Sequence, residues 1–162
     1  MKKTAITLLI ILTFALTLWA GKPEKLERLA RQYKDVEGFE MVNIGKLGMS
    51  LMKGIVNLAG DLDSDERAAL KSFKGVKGLT IIDFEDIPEA KKQAFSAKVE
   101  RILSGMEVIL EAKGDGDALS IYGIEKGGHI RDCVLYSKDG VLLVAKGLIP
   151  LSQLGGLIEM AQ

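Results

Sequence analysis

Between Met106 and Gly147 the chain runs as four short apolar stretches separated by three tight-turn clusters, and no other feature restricts its folding as strongly. The clusters are Gly114-Asp115-Gly116-Asp117, Lys126-Gly127-Gly128 and Lys138-Asp139-Gly140. Each sets glycine beside aspartate or a second glycine, where the backbone takes the positive φ of a hairpin turn without a side-chain clash. The spacing predicts a four-stranded antiparallel meander. In its first strand Met106, Val108, Leu110 and Ala112 would point one way and Glu107 and Glu111 the other, giving a dry face and a wet one.

The dry face needs a cover, and amphipathic helices on either side of the meander can supply it. From Pro23 to Tyr33, Leu26, Leu29, Ala30 and Tyr33 fall at i, i+3, i+4 and i+7, with Pro23 suited to a first helical turn. Gly38 breaks that pattern, and Phe39 to Ile44 reads as a short strand. An apolar helix is expected from about Lys46 to Ala59, and a third from the polar bend at Asp61 to Asp65 as far as Phe73. Thr80, Ile81 and Ile82 mark a strand over Leu79 to Phe84. A fourth helix from Pro88 to Ser104 would bury Ala94, Phe95, Val99, Ile102 and Leu103 and stop at Gly105. Pro150 opens a last short helix carrying Leu151, Leu154, Leu157 and Ile158. The sum is an α+β domain: a largely antiparallel sheet, ending in a C-terminal four-stranded meander, covered on one face by helices.

Met1 to Ala20 has the three parts of a secretory signal: Lys2 and Lys3, an apolar run from Ala5 to Leu18, and small residues at Ala20 and Gly21. The run is shorter than a membrane span usually needs, so cleavage after Ala20 is expected, with an uncleaved anchor as the competing reading. A lipoprotein signal is excluded, because acylation needs a cysteine at the cleavage point. The expected location is the periplasm or the extracellular space, with no membrane span in the mature chain. The remaining residues, 21–162, match the size of a single domain with one core.

The whole chain carries 22 basic and 22 acidic residues, so removal of Lys2 and Lys3 leaves a mature charge near minus two. That balance argues against a nucleic-acid partner, which calls for a clustered basic surface. Aromatic residues are 6% of the chain, too few for a stacking platform. Cys133 is the sole cysteine, so no disulfide can form within the chain.

Several local phrases resemble a known family. Gly38-Phe39 leading to Val42-Asn43-Ile44, the Gly78-Leu79-Thr80-Ile81-Ile82 strand, and the Asp139-Gly140 turn followed by Val141 to Gly147 are similar to the bacterial domain of unknown function 4252. The resemblance runs from about Leu26 to Ile158. It implies a small exported protein without an established activity. Some members are lipoproteins, and this chain departs from them by lacking a cysteine after its signal. No functional residue transfers with the resemblance.

The residues that could carry chemistry have simpler structural roles. Asp61-Leu62-Asp63-Ser64-Asp65 imitates the start of a calcium-binding EF-hand loop, but Glu66 and Ser72 stand where that loop needs glycine and a bidentate glutamate. Asp63 or Ser64 capping a helix explains it better. His129 and Cys133 are four apart on one expected strand, which would put them on the same face about 13 Å apart at ~3.3 Å per residue. That distance is too long for one metal ion or a Cys-His nucleophile. The Gly114 to Asp117 cluster lacks the Lys-Ser/Thr of a phosphate loop. Glu107 and Glu111 share a face, where solvated charge explains them better than acid-base chemistry. Neither a cofactor nor a metal site is expected.

The helix at Lys46 to Ala59 is the exception to bland readings. Its polar residues Lys46, Ser50, Lys53 and Asn57 form one narrow stripe, while apolar residues fill an arc of roughly 200°, wider than the ~100° that a helix lying on a core commonly shows. Gly48, near the middle of that arc, would let the helix approach the sheet. Either both flanks are buried within the monomer, or the Met49 flank is an exposed, adaptable patch. Leu47, Met49, Met52 and Val56 are therefore the candidate partner or lipid surface. The leading function is a non-enzymatic envelope protein that binds another protein, and the alternative is a carrier of a lipid or other apolar small molecule. An enzyme ranks third, because one histidine and no nucleophile constellation leave only carboxylates to react.

Overall fold

In the computed structural model, residues 21–50, 75–113 and 118–154 are described. Helix α1, Lys22–Arg31, begins as proline geometry favours, with Pro23 in its first turn. Glu24 in that turn and Arg28 and Arg31 in the last complement the helix dipole. Strands β1, Glu40–Ile44, and β2, Val76–Asp83, precede helix α2, Glu89–Leu103. The meander follows as β3, Glu107–Lys113; β4, Ala118–Lys126; β5, His129–Ser137; and β6, Val141–Pro150. A single 3-10 turn, Leu151–Gln153, comes after Pro150. The expected helices over Asp61 to Phe73 and beyond Leu154 lie outside the described residues, as does the N-terminal signal.

All six strands form one antiparallel sheet in the order β1-β2-β6-β5-β4-β3. The meander is therefore present, and β2 joins its last strand. Turn chemistry holds the two described hairpins: Gly127 and Gly128 both take positive φ between β4 and β5. Gly140, between β5 and β6, has φ +146 and sits so close to the Glu85 backbone that a Cβ there would lie 2.4 Å from Glu85 Cα. Its carbonyl also accepts the Phe84 N–H at 2.7 Å, which ties that turn to the exit of β2.

The two long helices cover one face. Phe95 and Val99 of α2 and Leu26 and Ala30 of α1 are buried against Ile82, Val134, Leu142 and Val144 of the sheet. Phe95 is the hub, with ring centroids 4.9 Å from Tyr33, 5.5 Å from Phe39 and 4.8 Å from Phe84. Those tilted and edge-on contacts add to what area burial alone contributes. Of the residues expected inside α2, Phe95, Val99 and Leu103 are buried, Ile102 is partly buried and Ala94 is exposed.

The opposite face is not wet at its centre. Val76, Leu79, Ile121, Ile130, Cys133, Leu135, Ala145 and Ile149 form a second buried cluster, to which Met49 and Leu154 belong. Charged residues keep to the margins instead. Exposed Glu107 and Glu111 lie on β3, an edge of the sheet, where solvent reaches either side.

Three strands break the two-residue alternation. Ladder irregularities fall at Lys77 in β2, Ile109 in β3 and Asp132 in β5, the last also shifting the register against β4 between Tyr122 and Ile124, whereas β6 keeps one alternation, with Leu142 and Val144 on one face and Leu143, Ala145 and Ile149 on the other. An extra residue in one strand exchanges the faces of everything beyond it. In β3, Val108 pairs with Tyr122 toward the helices, while Leu110 pairs with Ile121 toward the second cluster. The expectation that Met106, Val108, Leu110 and Ala112 share a face fails for this reason, and Val108 remains 53% exposed. In β5, Asp132 has φ +54, a conformation that aspartate tolerates better than most residues.

Residues 46–50 are helical as expected, and Gly48 lies against the Ile44 side chain, where a Cβ would come within 2.8 Å of Ile44 Cγ2. The flanks are the reverse of the exposed-patch reading. Met49 is 2% exposed within the second cluster, and Leu47 is 77% exposed. Met52 and Val56 lie outside the described residues. Met49→Glu would bury an unpaired charge and is expected to cost several kcal/mol, read as a large fall in melting temperature. An unchanged melt would contradict the burial of Met49.

Candidate functional site

The change of alternation in β5 creates the most distinctive surface among the described residues. Above Asp132, Val134 and Tyr136 face the helices and Cys133 and Leu135 face the second cluster. Below it Ile130 faces the second cluster, so His129 and Arg131 turn to the helix side. His129 and Cys133 are consequently on opposite faces, a correction to the expectation that strand periodicity puts both on the same face. Partners in the ladder share the face of Arg131 and His129: Ile124 and Leu148 are opposite Arg131, and Lys126 and Pro150 are opposite His129.

All of these but Pro150 border an open groove of about 1080 Å³, with Lys77, Lys146, Asp132 and Val76 also on its wall. A smaller hollow of about 350 Å³ adjoins it, sharing Lys77 and Lys146 and reaching Glu27, Asn43, Thr80 and Lys46. Leu148, 51% exposed, supplies the apolar floor with Ile124. In the larger groove four permanent cations face one carboxylate. Arg131 Nε is 3.5 Å from Asp132 Oδ2, whereas Lys46, Lys77 and Lys126 have no ion pair among the described residues. His129 Nδ1 lies 3.1 Å from the Gly127 carbonyl, which sets the imidazole at the lip.

A buried polar network anchors the inner wall. Asn43 Nδ2 donates to Thr80 Oγ1 at 3.1 Å, and the Thr80 hydroxyl donates to Glu27 Oε1 at 2.8 Å. Lys146 Nζ donates to the other oxygen, Glu27 Oε2, at 2.9 Å. Glu27 is 7% exposed, so the ammonium and the hydroxyl replace much of the water its carboxylate loses. Through four residues the network joins α1, β1, β2 and β6. No signal in the helical stripe of α1 identifies Glu27, because its partner Lys146 stands 119 residues away.

Two other polar side chains are shielded. Burial pushes the Cys133 thiol up from its ordinary 9.0 to about 12, which leaves it protonated and inert at neutral pH. Tyr136 is likewise raised from 10.0 to about 12, chiefly by burial and also by Glu100, whose Oε1 accepts its hydroxyl at 3.3 Å. The Asp61 to Asp65 and Gly114 to Asp117 stretches lie outside the described residues. No described helix is long and apolar enough to cross a membrane.

Lys146→Met would leave the Glu27 carboxylate buried with Thr80 as its remaining donor, and is expected to cost about 1–3 kcal/mol in urea unfolding. Adding Glu27→Gln should restore part of that loss, and independent, additive costs in a double-mutant cycle would show the pair to be uncoupled. Both raised pKa values predict alkaline weakening. The unfolded state ionises first, so the stability these groups contribute is complete below pH 9 and is lost as pH rises towards 12. Cys133→Ala should make that decline shallower, measured as melting temperature against pH; an identical slope would contradict the shielded thiol.

The family model for the domain of unknown function DUF4252 matches residues 33–157. No curated protein and no solved structure matches the chain.

Proposed function

The chain belongs to the DUF4252 family, and from that premise we propose that it is a non-enzymatic protein-binding module of the cell envelope. The observation that supports this reading is the open groove, where cations surround half-exposed Leu148 at the end of the helix face, beyond α1 and α2. Interfaces combine an apolar centre with a polar rim in this manner. Its wide mouth favours a macromolecular segment over an enclosed lipid, which would be buried over most of its surface. The basic start, apolar run and small residues of Met1 to Ala20 support export to the periplasm or beyond.

Native mass spectrometry of protein exported from its own cells and purified without denaturation is the first test. The reading expects a bare chain that begins at Gly21. A retained lipid-sized adduct would favour the carrier instead, and a chain beginning at Met1 would favour a membrane anchor. A photo-crosslinking amino acid at Leu148 should capture a protein in the intact envelope, whereas the same group at exposed Arg101 on α2 should not. Equal capture at both positions would remove the groove as the binding surface.

A further inference from the structure

The cations of this face are arranged in order across the sheet. Following the strand order β1-β2-β6-β5-β4, each strand contributes one: Lys46 immediately past the end of β1, Lys77 on β2, Lys146 on β6, Arg131 on β5 and Lys126 on β4. Neighbouring strands stand ~4.8 Å apart, so the row extends about 19 Å across the strands. Ladder partners make it oblique. Lys146 is level with Gly78, one residue above Lys77, whereas Arg131, level with Leu148, and Lys126, level with His129, each lie two residues further down the sheet. Exposed apolar surface from Leu148 and Ile124 lies between the last cations.

We propose that this row is the docking track for an acidic, extended segment of a partner protein, about seven residues long, with a carboxylate at every second position. The inference rests on the protein-binding reading and names the chemistry of its partner. With its descent along the strands the row is ~22 Å long, so an extended chain rising ~3.3 Å per residue spans it with about seven residues. Its side chains alternate between two directions, so carboxylates at every second position, ~6.6 Å apart, point together at the cations. Lys46, Lys77 and Lys126, which have no ion pair among the described residues, are spread along the row and supply attraction to an incoming anion. Lys146 and Arg131, already held by Glu27 and Asp132, keep the groove in shape. A membrane surface would engage cations spread over a broad plane. Here they form a single file over a concave floor, which fits one strand of chain.

The test is fluorescence anisotropy on the full mature protein with a labelled heptapeptide alternating glutamate and leucine, beside a lysine-leucine heptapeptide and vesicles containing phosphatidylglycerol. The acidic peptide should bind, the basic one should not, and added salt should weaken binding through screening. Lys77→Glu combined with Lys126→Glu should lower the affinity about tenfold or more while leaving the melting temperature nearly unchanged, since neither lysine has an ion pair among the described residues. Equal binding of both peptides, or an acidic-peptide affinity indifferent to the double variant, would overturn the proposal. Charge-dependent vesicle binding without peptide binding would overturn it in favour of an anionic lipid surface. Capture of an envelope protein at position 148 that persists in the double variant would leave the protein-binding reading standing and defeat the acidic-segment assignment alone.

Discussion

An extended strand offers a side chain only two directions, and this sheet depends on exchanging them partway along β2, β3 and β5. The exchange puts Val76 and Ile130 into the second cluster, where strict alternation within each strand would have sent them to the helix face. It also turns His129 and Arg131 toward the side that carries α1 and α2. One set of irregular residues thus completes a core on one face and charges the groove on the other. Asp132 is the clearest case, because its left-handed backbone and its pairing with Arg131 occur in the same residue.

With both faces of the central strands apolar, each needs its own cover. Phe95 fills that role on the helix side, drawing Tyr33 after α1, Phe39 before β1 and Phe84 after β2 around one ring. Met49 and Leu154 take part on the other side. The expected apolar arc of the helix beginning at Lys46 has a physical use in its first turn: Met49 is buried in the second cluster, and Leu47 is left outside.

The Glu27 network connects this architecture to the groove. A carboxylate in a core is tolerated when donors replace its water, and Thr80 and Lys146 do so from two different strands. The same ammonium that satisfies Glu27 forms part of the groove wall, so core and surface share a residue. Removal of Lys146 therefore tests the fold, whereas Lys77 and Lys126, which have no such tie among the described residues, test the surface.

The sequence by itself determined the elements: the Gly127-Gly128 and Asp139-Gly140 turns, the helix stripes of α1 and α2 and the strand at Thr80 to Ile82 are local, since backbone conformation and side-chain periodicity are set within a few residues. It also determined the antiparallel meander, because short turns leave consecutive strands no other neighbour. Only the tertiary structure decided which face each residue took beyond an irregularity, since an extra residue is visible only against the partner strand. For that reason Val108 and Leu110 could not be separated, nor His129 from Cys133, by counting along the chain. The groove was hidden for the same reason: Lys46, Lys77, Lys126, Arg131 and Lys146 are scattered over the sequence of a chain with balanced charge, and they meet only because β6 lies between β2 and β5.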